Sequence, residues 1–251
     1  MVNGLAKLLL TLQYDGTRYH GWQVQPNGIT VQETLQNALE TVLATRPAVT
    51  GCSRTDSGVH ARRFYCTVNK PQKLTTEALV RALNANLPED IAVLACREVT
   101  DEFHPRYSAN GKRYVYYIWN SPVRSPFYKE LSLHIKQPLD VQRMNETAKL
   151  FLGTHDFTAF CSVGSSVEDK NRTVYRSEVT KQGDMVTYTV EADGFLYNMV
   201  RIFVGTLLDV HNGRLSNDDV KEALFSGKRE LAGATAPPQG LFLDEVFYDE
   251  R

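Results

Sequence analysis

The order of strand-like and helix-like segments is the feature of this chain that most restricts its fold. Between Lys7 and Val99 the hydrophobic periodicity changes in the order strand, helix, strand, strand, helix, strand. The second half repeats this order with longer connections and closes with a strand-like run from Leu241 to Tyr248. A βαββαβ unit is the element order of a ferredoxin-like domain. The sequence therefore predicts an α+β fold of two ferredoxin-like halves, whose sheets join into a mixed, mainly antiparallel sheet flanked by helices.

Local signals indicate where several of these elements begin. Thr30 and Glu33 have the spacing of a capping box, which predicts a helix from residue 31. Pro138 marks the expected start of a helix in the second half, and Ser216 is the expected cap of a later, shorter helix. The predicted strands are Lys7–Tyr14, Ala48–Ser53, Arg63–Asn69, Ile91–Val99, Arg113–Trp119, Val174–Lys181, Met185–Ala192 and Leu241–Tyr248.

The boundary between the two halves is predicted near Phe103 to Asn110, where strand-like periodicity stops and resumes. We assign residues 1–104 to an N-terminal half and residues 105–251 to a C-terminal half. No long flexible linker separates them in the sequence, and short connections are typical of domains that pack against each other.

Charge and cysteine content narrow the class of protein. The formal net charge is −1, so a nucleic acid would have to bind at local basic patches rather than to an overall basic surface. The candidate patches contain Arg62–Arg63, Arg106 with Lys112–Arg113, Arg201 and Arg214. The four cysteines have no Cys-x-x-Cys spacing, which argues against a zinc site and predicts reduced, buried thiols.

Several common functional signals are absent from the sequence. The first seven residues do not have the pattern of a signal peptide, and no apolar run has the length of a membrane helix. The chain has no Gly-x-Gly-x-x-Gly fingerprint after a strand, no Walker loop and no His-Glu-x-x-His motif. We therefore expect a cytoplasmic protein that uses neither a membrane nor a metal.

The segment from Gly51 to Arg62 contains the strongest candidate for a reactive side chain. It places Asp56 among small residues and near the guanidinium of Arg54, in a stretch that does not have a helical pattern. Small neighbours would let a flat substrate approach, and Arg54 would favour the ionised carboxylate. Thr-Asp-Ser-Gly is also an ordinary turn sequence, so the residues alone leave both interpretations open.

The run Arg54-Thr55-Asp56-Ser57-Gly58-Val59-His60-Ala61 resembles the active-site loop of the tRNA pseudouridine synthase A family. Ser57 stands where Ala is common in that loop, and both residues are small. Further segments similar to family motifs follow in order along the chain. They are Tyr14-Asp15-Gly16 with Gly21-Trp22-Gln23, the run from Asn84 to Ile91, Phe103 to Ala109, Lys112 to Tyr116, Gly153 to Phe160, Phe195 to Arg201 and Pro237 to Leu243.

The resemblance implies an isomerase that converts uridine to pseudouridine at positions 38–40 of the tRNA anticodon stem-loop, without a cofactor. It implies a homodimer whose partner is tRNA. The residues implied for catalysis are Asp56, Arg54, Tyr114 and Arg201, and those for substrate binding are Tyr114, Leu241, Arg106 and His60. In this scheme Asp56 acts as nucleophile or base on a flipped-out uridine, and Arg201 keeps it ionised. Arg201 also interrupts an apolar helical run, where a buried charge requires a partner.

Two other functions are compatible with parts of the sequence. A non-catalytic RNA-binding or RNA-chaperone module could use the same fold, although it would gain nothing from a carboxylate facing phosphates. A glycoside-type hydrolase could use Asp56 at the ribose C1′, but such enzymes usually need a second carboxylate as general acid. The matched motifs contain no evident partner carboxylate, so the isomerase is the favoured interpretation.

Overall fold

A computed structural model describes residues 5–70, 74–165 and 167–248, without the side chains of Leu5 and Ala6. The chain forms two compact units, Met1–Asn110 with Phe242–Arg251, and Gly111–Leu241. The division predicted from the sequence, after residue 104, assigns the last strand to the second half instead. The expectation about the first seven residues falls partly on residues 1–4, and the predicted C-terminal half includes residues 249–251. Both sets lie outside the described residues.

The first unit has the predicted order of strand, helix, strand, strand, helix, strand. Its elements are β1 (Leu5–Tyr14), α1 (Val31–Leu43), β2 (Thr50–Gly51), β3 (His60–Asn69), α2 (Thr76–Asn86) and β4 (Ile91–Thr100). Strand β1 lies between β3 and β4 and is antiparallel to both. Strand β2 pairs antiparallel with the other edge of β3, so these four strands have the order β4-β1-β3-β2 of a ferredoxin-like sheet.

Local capping and apolar faces explain the two helices of this unit. The Thr30 hydroxyl accepts a hydrogen bond from Glu33 N at 3.3 Å, which fixes the start of α1 as predicted. Thr75 caps α2 in the same way through Ala78 N. The buried faces follow the helical period and consist of Val31, Leu35, Ala38 and Leu39 in α1, and Leu79 and Leu83 in α2.

The second unit also combines an antiparallel sheet with helices. Its elements are β5 (Gly111–Asn120), β6 (Leu133–Ile135), α3 (Val141–Ala148), β7 (Gly153–Asp156), β8 (Asn171–Gln182), β9 (Met185–Ala192), α4 (Met199–His211) and α5 (Asn217–Ser226). The strand order is β5-β9-β8-β7 with antiparallel pairing throughout, and β6 pairs parallel with β5. The fold class expected from the sequence, a mainly antiparallel sheet flanked by helices, is confirmed.

The start predicted for α3 at Pro138 is wrong by three residues. The helix begins at Val141, because the Asp140 carboxylate accepts a hydrogen bond from Arg143 N at 3.0 Å and so caps the first turn. The predicted cap of α5 is confirmed: Ser216 and Asp219 form a complete capping box.

The last strand, β10 (Leu241–Phe247), pairs parallel with β3 through Phe242–His60 and Leu243–Ala61. This pairing explains why residues after Leu241 belong to the first unit. It also brings the end of the chain to the strand that follows the Asp56 segment.

The four cysteines can be compared with the reduced, buried thiols that the sequence predicts. All four cysteines are free thiols, as predicted, but the prediction that all are buried is wrong for Cys96, which is half-buried. Burial raises the pKa of Cys66 well above its ordinary value and raises that of Cys96 to about 11. Both therefore stay protonated and unreactive near neutral pH.

Among the described residues, no helix is long and apolar enough to cross a membrane.

Candidate active site

The Asp56 segment is an ordered loop between β2 and β3, and main-chain hydrogen bonds hold it on both sides of the carboxylate. Thr55 is buried, its hydroxyl lies 2.9 Å from the Tyr14 hydroxyl, and its carbonyl accepts a hydrogen bond from Trp22 N at 3.1 Å. On the other side, Val59 N donates to Asp56 O at 3.1 Å. The backbone of the loop is therefore fixed before any ligand binds.

Two glycines let the segment after β1 lie against this loop. Gly21 has a φ of +81°, and a Cβ there would lie 2.4 Å from Thr55 O. A Cβ on Gly16 would lie 2.0 Å from Val59 O. Only glycine allows both the positive φ at residue 21 and these two backbone contacts. The Tyr-Asp-Gly and Gly-Trp motifs thus serve to position the Asp56 loop.

The two charged side chains of the loop differ in their surroundings. Asp56 is half-buried, whereas Arg54 is exposed. Arg54 forms no ion pair with any residue in the described part of the chain. Its guanidinium therefore stays accessible to a phosphate or a base of a bound nucleic acid.

His60, predicted to contact substrate, is fully buried. Its Nδ1 accepts a hydrogen bond from Gly16 N at 3.0 Å, and its ring stacks on Phe242 with a centroid distance of 4.5 Å. These contacts tie the start of β3 to the segment after β1 and to β10. Direct contact with substrate stays a prediction for His60, and its burial favours a role in holding the loop.

The acidic pair Asp244–Glu245 of β10 forms ion pairs with basic residues of β3. Arg62 lies 3.2 Å from Asp244, and Arg63 lies 3.3 Å from Glu245. The Glu245 charge raises the pKa of the Arg63 guanidinium. Burial, followed by the hydrogen bond to Glu245, raises the pKa of Tyr65. The four charges therefore offset one another, and neither arginine is a freely available cation.

In the second unit, Arg201 is held by polar contacts at the start of α4. Its Nε donates to Ala236 O at 2.7 Å and its Nη1 donates to Asn198 Oδ1 at 2.8 Å. Asn198 adopts a left-handed conformation with a φ of 60° and donates to Ser162 Oγ at 2.9 Å. Sequence reasoning did not identify Asn198, although an Asn just before the apolar run is a helix-start signal.

The segment from Ala232 to Gly240 packs against α4 through two glycines. A Cβ on Gly205 would lie 1.7 Å from Ala234 O, and a Cβ on Gly233 would lie 2.4 Å from Thr206 N. Gly233 N also donates to the Thr206 hydroxyl at 2.9 Å. The backbones of the helix and the segment are therefore in van der Waals contact, which sets the path of the chain toward Leu241.

Tyr116 fixes the other end of this segment. Its side chain is fully buried, and its hydroxyl donates to Pro237 O at 2.8 Å. A Cβ on Gly240 would lie 2.6 Å from the Tyr116 ring. Burial raises the pKa of Tyr116, so the hydroxyl remains a donor at neutral pH. The next residue, Leu241, is buried in turn.

We expect Tyr116→Phe to destabilise the protein by about 1 kcal/mol, because Pro237 O loses its donor while the ring stays in place. For a chain of this size that change corresponds to a fall in Tm of roughly 2–4 °C. Thermal unfolding followed by circular dichroism measures it. Tyr128→Phe is the control, since the Tyr128 hydroxyl makes no side-chain hydrogen bond within the described part of the chain. Equal Tm values for the two variants would contradict this role of Tyr116.

Tyr114 lies two residues before Tyr116 on β5, so the two rings share one face of the strand. Tyr114 is buried, and its ring meets Phe195 edge-on with a centroid distance of 5.0 Å. Phe195 lies in the segment that leads into α4, and Arg201 lies in the first turn of that helix. The roles of Tyr114 and Leu241 in base binding remain predictions.

The structure does not bring Arg106 to the Asp56 loop. Strand β4 is antiparallel to β1, and Ile91 pairs with Tyr14 at the end where the loop lies. Arg106 follows Thr100, which is at the opposite end of β4. The segment that carries Arg106 therefore leaves β4 at the end away from the Asp56 loop.

Known proteins resemble this chain over most of its length. The family model described as tRNA pseudouridine synthase matches residues 11–108 and 147–249. The chain belongs to the tRNA pseudouridine synthase family. The matched ranges include the Asp56 loop, Arg201 and Leu241, whereas Tyr114 lies between them. Members of this family are isomerases, which confirms the class of enzyme expected from the sequence.

Curated relatives match along nearly the whole chain. A protein of Thermoanaerobacter sp. (strain X514) described as tRNA pseudouridine synthase A is 45% identical over 244 residues, covering 97% of this chain and 100% of its own length. A relative of the same description from Myxococcus xanthus is 43% identical over 245 residues, covering 97% of this chain and 92% of its own length. The family resemblance stated from the motifs is thereby confirmed.

A solved structure, the crystal structure of a Cbf5-Nop10-Gar1 complex, has a chain that matches with a TM-score of 0.37 and 13% identity. The match covers 94% of this chain and 57% of that chain. At this level of similarity it supports no conclusion about fold or function.

Proposed function

We propose that this protein converts uridine to pseudouridine at positions 38–40 of the tRNA anticodon stem-loop, with Asp56 as the reacting group. The observation that carries the proposal is the Asp56 loop. Its backbone is fixed by Gly16 and Gly21, and Arg54 beside the carboxylate is exposed and forms no ion pair with a described residue. This arrangement suits a carboxylate that must meet a flat base within RNA.

The chemistry requires only groups that the chain itself has. The C1′–N1 bond of uridine breaks, a C1′–C5 bond forms, the proton on C5 leaves to solvent and N1 gains a proton. No electrons are gained or lost and no group is added, so the reaction needs no cofactor. Three first steps are compatible with a carboxylate at residue 56: attack on C1′, attack on C6 of the base, and removal of a proton from C2′.

A uridine within a stem has to be extruded before Asp56 can reach it. Extrusion costs a few kcal/mol, and stacking on an aromatic ring offsets about 1–3 kcal/mol of that. We assign this stacking to Tyr114, with Leu241 packing on the base and Arg54 entering the RNA stack. We assign to Arg201 the task of keeping Asp56 ionised. The hydrogen bonds of Arg201 to Asn198 and Ala236 support this assignment, because they hold the guanidinium in one orientation.

The family resemblance supports further assignments. We propose that the enzyme acts as a cytoplasmic homodimer and that one tRNA contacts both subunits. We also propose that the sequence halves 1–104 and 105–251 serve one reaction, the first supplying Asp56 and Arg54, and the second Tyr114, Arg201 and Leu241.

The site preference is tested with three anticodon stem-loop RNAs, each carrying a single uridine at position 38, 39 or 40. Carbodiimide labelling and primer extension locate pseudouridine in each. We expect product in all three and none in a control RNA whose only uridine lies in the acceptor stem. Equal modification of the control would contradict the proposed site, while leaving the isomerase activity intact. No product in any RNA, with binding retained, would favour a binding module.

A further inference from the structure

The turn that follows β4 presents an exposed aromatic ring close to an imidazole and a guanidinium group. Tyr107 is 77% exposed. The His104 ring lies 4.3 Å from the Tyr107 ring at an interplanar angle of 34°, and the Arg106 guanidinium carbon lies 5.7 Å from the centre of the same ring. We call His104, Arg106 and Tyr107 the stacking platform.

Hydrogen bonds hold the main chain of the platform in place, although the side chains of Arg106 and Tyr107 are exposed. Arg106 N and Tyr107 N both donate to His104 Nδ1, at 3.1 and 3.3 Å. His104 N donates to the Ser108 hydroxyl at 3.1 Å, and Ser108 N donates to His104 O at 2.9 Å. The main chain of the turn and the His104 ring are therefore ordered before a ligand binds, which lowers the entropy cost of binding there.

The turn that carries the stacking platform packs against the end of β10. The Tyr248 hydroxyl donates to Pro105 O at 2.8 Å, and the Tyr248 ring lies 5.2 Å from the Phe103 ring. Asn110 N donates to Phe247 O at 2.7 Å and closes the segment. The turn is therefore anchored at both ends and does not depend on Tyr107 for its conformation.

Two arginine side chains provide positive charge near the stacking platform. Neither Arg106 nor Arg97 forms an ion pair with a residue of the described ranges, and the Arg97 guanidinium carbon lies 5.8 Å from the Phe103 ring centre. The nearby Asp101 carboxylate lies 3.5 Å from the Lys7 ammonium group. Two guanidinium groups near the platform thus remain available to phosphates, in contrast to Arg62 and Arg63 of β3.

We propose that the stacking platform binds a second nucleotide of the RNA substrate, an unpaired one whose base stacks on Tyr107 while Arg106 meets its phosphate. Exposed aromatic rings and guanidinium planes are the groups on which proteins stack splayed-out RNA bases. This inference rests on the proposed function, since it assumes an RNA substrate.

The second nucleotide is distinct from the one at Asp56. Strand β3 runs from His60, next to the Asp56 loop, to Tyr65, whose ring lies 5.2 Å from the Tyr248 ring below the platform. Five residues of strand span roughly 17 Å. One extruded nucleotide at Asp56 cannot also occupy the platform, so the platform extends the RNA-binding surface along this unit.

RNA binding by otherwise inactive protein tests the proposal. In an Asp56→Asn background, we expect Tyr107→Ala to raise the Kd for full-length tRNA about tenfold, and Tyr107→Phe to restore it because the ring remains. Arg106→Gln is expected to reduce the slope of log Kd against log salt by about 1. Phe225→Ala, which removes another exposed aromatic ring, is the matched control and is expected to leave Kd unchanged.

Two other results would contradict the proposal that the stacking platform binds a nucleotide. Tyr107→Ala with the Kd of its parent at every salt concentration would exclude stacking there. A changed oligomeric state by light scattering, with unchanged RNA affinity, would identify the surface as a protein interface instead. The outcome is separable from the proposed function: if wild-type protein makes no pseudouridine but Tyr107→Ala still weakens RNA binding, the platform stands and the isomerase assignment fails.

Discussion

Replacing Asp56 by Asn is expected to lower the rate of pseudouridine formation by at least about 10³-fold while RNA binding is retained. An amide has nearly the same size and shape as the carboxylate but is neither a nucleophile nor a base at neutral pH. The loop should keep its conformation, because Thr55 O, Gly58 N and Val59 N hold it through the main chain. The loss is therefore expected in the chemical step.

Single-turnover kinetics with saturating enzyme separate this loss from a loss of affinity. Asp218→Asn is the matched control, because it makes the same chemical change in an exposed residue of α5 that pairs with Lys221 and with no other described residue. We expect the control to have the wild-type rate. An Asp56→Asn protein that retains even a tenth of the wild-type rate would show that another group carries out the reaction.

Gly205→Ala is expected to have the largest effect on stability. The added methyl group would lie 1.7 Å from Ala234 O, so either α4 or the segment from Ala232 to Gly240 must move. Overpacking of this kind costs about 2–3 kcal/mol, which corresponds to a fall in Tm of roughly 5–10 °C. Activity is expected to fall as well, since the same segment carries the chain to Leu241.

The matched control for this change is Gly194→Ala in the same unit. A Cβ on Gly194 would meet only the Arg172 side chain, at 3.2 and 3.4 Å, and a flexible side chain can move aside. Differential scanning calorimetry of the two variants measures the contrast. Equal transition temperatures would mean that the close contact between α4 and the segment at Ala234 is not needed for the fold.

Elements defined by local signals were predictable from the sequence. Thr30 and Ser216 are each followed three positions later by an acidic residue, which is the spacing of a capping box. Helices α1 and α5 begin directly after these two cap residues. Strands β8 and β9 also lie where alternation predicted them, joined at Gly183 with its φ of 57°. In each case a few neighbouring residues determine the conformation, so the sequence contains the whole signal.

Elements defined by distant partners were not predictable in the same way. Strand β7 is four residues long and exists through its pairing with β8. Strand β10 was predicted, but its parallel pairing with β3 was not, because the partners are about 180 residues apart. For the same reason the ion pairs of Arg62 and Arg63 with Asp244 and Glu245 have no local signal.

In the candidate site, too, features with a local sequence signal were predictable, whereas contacts with distant residues were not. The motif around Asp56 predicted a reactive carboxylate, and nearness in sequence to Asp56 placed His60 beside it as a residue that contacts substrate. Both roles stay predictions, and the burial of His60 depends on packing against Phe242, which no local signal indicates. The apolar run around Arg201 indicated a charge with a partner. The identity of its partners within the unit, Asn198 and Ala236, depends on how the segment after residue 231 returns to α4.

Release of tritium from an anticodon stem-loop RNA that carries [5-³H]uridine at position 39 tests the central claim most directly. Formation of the C1′–C5 bond must expel the label from C5, whereas hydrolysis of the C1′–N1 bond would keep it on free uracil. We expect one tritium released to water for each uridine converted, with no free uracil and with no release by Asp56→Asn. Labelled uracil together with an abasic RNA, or RNA binding without any tritium release, would contradict the assignment of this protein as an isomerase of the anticodon stem-loop.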